Sequence, residues 1–68
     1  MLQDNIRSLR KARGLSQEEV AQRLHITRQT LSKWENGLSV PDAQLLLKLA
    51  EILEVSVAQL LEGSTETN

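Results

Sequence analysis

The fold is decided by residues 16–37, which read SQEEVAQRLHITRQTLSKWENG. Ser16 and Glu19 form the pattern of a capping box, in which each side chain bonds the backbone of the other residue and starts a helix. Thr27 belongs to the residue types that cap a helix, so a second helix is expected directly after it. Because only residues 25–27 separate the two predicted helices, the chain must turn sharply there, as in a helix-turn-helix.

This helix-turn-helix runs from about Gln17 to Asn36, and its second helix covers about residues 28–36. On a helical wheel, Leu31 and Trp34 lie on the inner side together with Thr27. The opposite arc is polar and carries no acidic residue; its members are Arg28, Gln29, Ser32, Lys33 and Asn36. Glutamine can form paired hydrogen bonds with adenine, and arginine or lysine with guanine, so the arc is suited to reading DNA in the major groove.

Three further helices are expected outside this segment. The first spans about residues 2–13 and ends at Gly14. The fourth starts at Asp42 and continues to about Leu53, while the fifth starts with a capping box of Ser56 and Gln59 and ends at Gly63. The residues expected to face the core are Leu2, Ile6 and Leu9 in the first helix and Val57, Leu60 and Leu61 in the fifth.

No stretch alternates as a strand would, and the predicted fold is therefore all-α, a compact domain of five helices. Residues 1–63 are expected to form the domain and residues 64–68 a flexible polar tail.

Composition argues against an enzyme. The chain has no cysteine and a single histidine, His25, and neither clustered acids nor a glycine-rich phosphate loop occur. No nucleophile, metal site or cofactor site can therefore be proposed. No apolar run approaches the roughly 20 residues that cross a bilayer, and no secretory signal pattern is present, so a cytoplasmic protein is expected.

The formal net charge of -1 conceals a strong asymmetry. Residues 1–37 carry a net charge of +3, whereas residues 38–68 carry -4. Such a polarised molecule can be oriented by the field of a polyanion such as DNA. Three net charges are also common on ordinary solvated surfaces, so charge alone does not establish DNA binding.

The sequence resembles the Cro/CI-type repressor family, also called the xenobiotic-response-element family. The resemblance covers about residues 4–62; it rests on residues 15–21 (LSQEEVA), 26–37 (ITRQTLSKWENG), 41–42 (PD), 46–50 (LLKLA) and 55–56 (VS). It implies a repressor-like DNA-binding domain that regulates transcription, more often as a repressor, and whose third helix enters the major groove. The partner would be double-stranded DNA, and the protein would work at the nucleoid.

The resemblance also implies roles for single residues. The positions that match base-reading residues are Gln17, Arg28, Gln29 and Lys33, with Ser32 as a weaker candidate. The positions that match phosphate-contacting residues are Ser16, Thr27 and Asn36. Phosphate contacts set the register of a protein on DNA but do not read its sequence.

Two charged residues are assigned to the structure instead. Arg10 lies at the edge of the apolar face of the first helix, and Glu35 borders Leu31 in the third. A buried ion pair between them would join these helices, as the resemblance also implies; the alternative is that Arg10 contacts a phosphate.

His25 and Glu54 depart from the family, which often has glycine at both turns, and a positive φ at His25 would be tolerated with some strain.

The fourth helix is more apolar than one packing face requires. Leu47 near its edge, with Val57 and Gln59 of the fifth helix, is a candidate interface of a weak homodimer. A dimer would bind a pseudo-palindromic operator. The alternative is that Leu47 packs under the loop of residues 38–41.

A different function is also open, in which the fourth and fifth helices bind a protein partner such as a toxin or an anti-regulator. RNA is disfavoured because aromatic stacking platforms are absent.

Overall fold

The computed structural model of the protein describes residues 2–62. These residues form five helices: α1 (Leu2–Ala12), α2 (Gln17–Leu24), α3 (Arg28–Glu35), α4 (Ala43–Leu53) and α5 (Val57–Glu62). Within this range there is no strand, so the expected all-α fold of five helices is confirmed. The expected helix end at Gly63 and the expected polar tail over residues 64–68 lie outside the described residues.

Side-chain caps start the helices at the expected places. Ser16 has an extended backbone; its hydroxyl accepts a hydrogen bond from the Glu19 N–H at 3.0 Å, and Glu19 Oε1 accepts one from the Ser16 N–H at 2.8 Å. The same exchange between Ser56 and Gln59 starts α5. Each cap satisfies amide groups that the first turn of a helix leaves without an intrahelical partner.

The core lies between the five helices. Its buried apolar side chains are Ile6, Val20, Leu24, Leu31, Trp34, Leu49, Ala50, Leu53 and Leu60. Helix α3 packs against α1 and α2, whereas α4 packs against α2 and α5. One face of α3 is therefore fixed by two neighbours while its other face remains at the surface. None of the helices within residues 2–62 is long and apolar enough to cross a membrane.

The expectation that Leu61 is buried is wrong. Leu60 is fully buried, but 48% of Leu61 is exposed. Helix α5 has only six residues and packs on α1 and α4. Consecutive residues of a helix point about 100° apart, and the face of α5 that buries Leu60 leaves Leu61 partly outside the contact with these two helices.

Two turns hold residues other than glycine in a left-handed backbone conformation. His25 has φ 58° at the end of α2, and Glu54 has φ 60° at the end of α4. Each residue donates its backbone N–H to carbonyl groups of the preceding helical turn. This geometry is the usual glycine cap of a helix C-terminus, so both side chains introduce backbone strain.

Replacing His25 by glycine is expected to raise the free energy of unfolding by about 1 kcal/mol, because glycine adopts this backbone conformation without steric cost. The His25 side chain is exposed, so little packing is lost. Thermal unfolding followed by Trp34 fluorescence measures the gain. Glu54→Gly is the matched control and should gain less, because it also removes the Arg13–Glu54 ion pair at 3.2 Å. A lower melting temperature for His25→Gly would refute the assignment of strain.

Candidate nucleic-acid interface

The surface of α3 carries the polar arc that the sequence predicted. Arg28, Gln29 and Lys33 are exposed and Ser32 is half-buried, whereas Leu31, Trp34 and Glu35 are buried. Because Glu35 points inward, no acidic side chain of α3 faces solvent. The exposed face therefore offers two positive charges and an amide that can act as both donor and acceptor, which is the chemistry that recognises base edges in the major groove.

Gln17, at the start of α2, is only partly available to a ligand. Its side chain is half-buried, and Nε2 donates a hydrogen bond to Oε1 of Glu35 at 3.0 Å. A glutamine amide has two hydrogens and one acceptor oxygen, so one hydrogen and the oxygen remain for an outside partner. The bond to Glu35 also fixes the direction of the side chain relative to α3.

Ser16 and Thr27 lie at the starts of α2 and α3. Thr27 is exposed, and the expectation that it shares the inner side of α3 with Leu31 is wrong, because its hydroxyl is turned toward the helix start to cap it. Thr27 Oγ1 accepts the Thr30 N–H at 3.1 Å and lies 3.0 Å from Thr30 Oγ1. Both helix starts thus present a hydroxyl beside backbone amides, an arrangement that suits an anion.

Asn36 follows the last residue of α3 and is held by several hydrogen bonds. Its Nδ2 donates to the Ser32 carbonyl at 2.8 Å and to Ser32 Oγ at 3.2 Å, while its Oδ1 accepts from Nη2 of Arg7 at 3.0 Å. This pattern fixes the orientation of the amide, because a flipped amide would place donor against donor at Arg7. Asn36 therefore connects α1 to the polar arc.

Arg10 and Glu35 form a buried, two-point ion pair between α1 and α3. Arg10 Nε lies 2.6 Å from Glu35 Oε2, and Arg10 Nη2 lies 3.0 Å from Oε1. Arg10 Nη1 also donates to the Leu15 carbonyl at 3.0 Å. Since Arg10 is buried and its nitrogens are engaged in this way, the alternative role on a phosphate finds no support.

The environment of Glu35 acts on its acidity in two opposing directions. Burial by itself raises the pKa of the Glu35 carboxyl group. Hydrogen bonds from Arg10 and Gln17, together with the positive charges of Arg10 and Arg7, outweigh burial, so the net pKa lies below the ordinary value. The pKa of the Glu19 carboxyl group is also lowered, because the backbone and the hydroxyl of Ser16 bond to it.

The lowered pKa of Glu35 gives a pH prediction. A carboxyl group with a lowered pKa in the folded state contributes stability that is fully present above the pKa of the unfolded chain and is lost as the pH falls through the folded-state pKa. The stability advantage of the wild type over Glu35→Gln should therefore be constant near neutral pH and shrink below about pH 4.5. Urea titrations followed by Trp34 fluorescence measure it, with Glu51→Gln, an exposed carboxylate, as control. An advantage that is still undiminished at about pH 3 would contradict this.

Arg13 stabilises the fold, a role that could not be predicted from the sequence. Its Nε donates to the Leu53 carbonyl at 2.9 Å and its Nη2 to the Glu54 carbonyl at 3.3 Å. These carbonyls lie at the end of α4, where a positive charge is favourable. No local pattern could have revealed the contact, because the partners are 40 residues apart in the chain.

The candidate dimer interface of Leu47, Val57 and Gln59 includes one exposed aliphatic side chain, and two more are exposed in the loop before α4. Leu47 is 58% exposed, and Leu38 and Val40 in the loop before α4 are 75% and 73% exposed. The alternative that Leu47 packs under residues 38–41 therefore finds no support. Val57 is half-buried, and Gln59 is exposed but engaged with Ser56 in the capping box.

The chain is similar to known helix-turn-helix regulators. A family model described as helix-turn-helix matches residues 6–60. The chain is 38% identical over 68 residues to the cryptic phage CTXphi transcriptional repressor RstR of Vibrio cholerae, covering 100% of this chain and 60% of RstR. It is 32% identical over 60 residues to the HTH-type transcriptional activator BcrR of Enterococcus faecalis, covering 88% of this chain but 29% of BcrR. The chain thus spans less than two thirds of these curated relatives.

The structure is also similar to solved structures of SinR. The crystal structure of SinR in complex with DNA, described as the master regulator for biofilm formation, superimposes with a TM-score of 0.82 at 35% identity, over 90% of this chain and 98% of that one. The SinR/SinI protein complex gives a TM-score of 0.84 at 34% identity, over 93% of this chain and 62% of that one.

Proposed function

This chain belongs to the helix-turn-helix family, and from that membership we propose that it is a transcriptional regulator, more specifically a repressor, that binds double-stranded DNA in a sequence-specific manner. One observation carries the proposal: the exposed face of α3 combines Arg28, Gln29 and Lys33, while the acidic residue of the helix, Glu35, is buried. The similarity to SinR in its DNA complex supports this reading, and the match to the repressor RstR favours repression. Such a regulator works in the cytoplasm, at the nucleoid.

The residues divide into two groups in this proposal. Base edges are read by Arg28, Gln29 and Lys33, with contributions from Ser32 and from the free part of the Gln17 amide. Phosphates are contacted by Ser16 and Thr27 at the two helix starts and by the hydrogen-bonded cluster around Asn36. Residues 1–63 are the DNA-binding unit, and residues 64–68 are not required for it.

Selection from a library of random duplex DNA tests the proposal. Repeated rounds of binding should enrich one family of sequences, because the polar arc of α3 discriminates between base pairs. Deleting residues 64–68 should leave the enriched sequence unchanged. Recovery of no common sequence at low and moderate salt would contradict sequence-specific binding.

A weak homodimer through Leu47, Val57 and Gln59 is part of the proposal. Leu47 supports it, since 58% of this aliphatic side chain is in contact with water in the single chain. A dimer would present two copies of α3 about one turn of DNA apart, so the enriched sequence should be pseudo-palindromic. Sedimentation that shows only monomer at high concentration, together with a single half-site in the enriched DNA, would remove the dimer from the proposal.

Binding to a protein partner is a second candidate function. It is favoured by the exposed aliphatic side chains of Leu38, Val40 and Leu47 and by the similarity to SinR, which has been solved in a complex with the protein SinI. The partner, such as a toxin or an anti-regulator, would bind α4 and α5 and leave α3 free for DNA. Under this alternative, Leu47→Glu abolishes capture of the partner and leaves binding to a single DNA half-site unchanged. Equal loss of both activities would count against separate surfaces.

A further inference from the structure

Arg7, on α1, reaches the end of α3 and remains largely at the surface. Its Nη2 donates to the Glu35 carbonyl at 3.1 Å and to Asn36 Oδ1 at 3.0 Å, and 44% of its side chain is exposed. Asn36 is in turn bonded to Ser32, a member of the polar arc. These bonds place the Arg7 guanidinium group beside the C-terminal end of the proposed recognition helix.

The positive charge of Arg7 is not needed to neutralise Glu35. The Glu35 carboxylate already has the full two-point pairing of Arg10 at 2.6 and 3.0 Å, whereas Arg7 Nε is 3.7 Å from it. Two arginines therefore face one carboxylate, and the outer arginine leaves a net positive charge at the surface. A surplus charge beside a DNA-reading helix is placed to neutralise a phosphate.

The hydrogen bonds of Asn36 also favour Arg7 as the residue that contacts a phosphate. A phosphate oxygen only accepts hydrogen bonds, and both amide hydrogens of Asn36 can be satisfied by the two Ser32 oxygens. Asn36 could serve a phosphate only by giving up a bond inside the protein. Arg7 uses its Nη2, but no acceptor bonded to its Nη1 occurs among residues 2–62. Of these two residues, Arg7 is therefore the one with donor hydrogens still available to a phosphate.

We infer that Arg7 contacts a DNA phosphate beside the C-terminal end of α3, and that Asn36 is the positioning residue that holds its guanidinium group there. The inference rests on the proposed DNA binding and extends it to a residue outside the helix-turn-helix. The alternative is purely structural: Arg7 caps the last carbonyl groups of α3 and does not reach DNA. The two differ in their dependence on salt, since only a phosphate contact releases a counterion.

The test is the affinity of the chain for a labelled duplex of random sequence over a series of salt concentrations. Arg7→Gln should lower the affinity about eightfold at about 0.1 M salt and reduce the slope of log affinity against log salt by about one. The fold loss should be the same on the enriched sequence, because a phosphate contact carries no base preference. Arg7→Lys keeps the charge and should keep the wild-type slope.

Lys48→Gln is the matched control, because it changes the net charge equally but lies exposed on α4, which packs against α2 and α5. It should leave affinity and slope near the wild-type values.

Thermal unfolding of each variant shows that binding is compared between folded proteins. A loss of affinity at an unchanged slope, or no loss at all, would overturn the assignment of Arg7. If the wild type itself bound no duplex at any salt concentration, the proposed function would fail, which is a distinct result.

Discussion

Replacing Arg10 by methionine is expected to lower the free energy of unfolding by about 3–5 kcal/mol, because it leaves the Glu35 carboxylate buried without its two-point partner. The remaining contacts, Gln17 Nε2 at 3.0 Å and Arg7 Nε at 3.7 Å, offer only partial compensation. A chain of 68 residues has limited stability to lose, so much of the variant should be unfolded at 37 °C. Urea titration followed by Trp34 fluorescence measures the loss.

A double variant separates the stranded charge from the lost packing. In Arg10→Met/Glu35→Leu both charges are absent, and apolar side chains can fill similar space. The double variant should therefore recover most of the stability that the single variant loses. A loss below about 1 kcal/mol in the single variant, or a double variant no more stable than the single one, would show that the pair does not join α1 to α3 in the way described.

Gln29→Ala is expected to weaken binding to the enriched DNA sequence by about 1–3 kcal/mol while binding to random duplex DNA changes little. Gln29 is exposed on the polar arc of α3, so its amide can pair with a base edge. Alanine is a good helix former, and the fold should therefore be unaffected. Affinities on the two duplexes at one salt concentration give the comparison.

Gln22→Ala provides the control, since Gln22 is an exposed glutamine of α2 outside the polar arc. It should bind both duplexes as the wild type does. If Gln29→Ala lost the same free energy on enriched and random DNA, Gln29 would be a backbone contact and not a reader of bases.

The helix starts could be predicted from the sequence because their causes are local. Ser16 and Thr27 cap α2 and α3 through bonds to residues only three positions away, and Asp42 does the same for α4. The polar arc of α3 was likewise visible, because the spacing of residues along a helix determines its faces. These local patterns were enough to give five helices and a candidate DNA-reading surface.

Contacts between distant elements could not be predicted in the same way. The contact of Arg13 with the end of α4 and the hydrogen bond from Arg7 to Asn36 both depend on how α1 packs across the domain. The exposure of Leu61 depends on the face that the short α5 turns to its neighbours, which capping signals do not specify. The Arg10–Glu35 contact is an exception: both residues lie next to apolar faces, and the family resemblance pointed to their pairing.

Sequence-specific reading by α3 is tested most directly by one ratio: the affinity of the wild-type chain for its enriched sequence divided by its affinity for a scrambled duplex of the same length and composition at the same salt concentration. The proposed base contacts of Arg28, Gln29 and Lys33 predict a ratio of roughly a thousandfold. A ratio close to one would contradict sequence-specific reading, because the binding would then come from phosphate contacts alone.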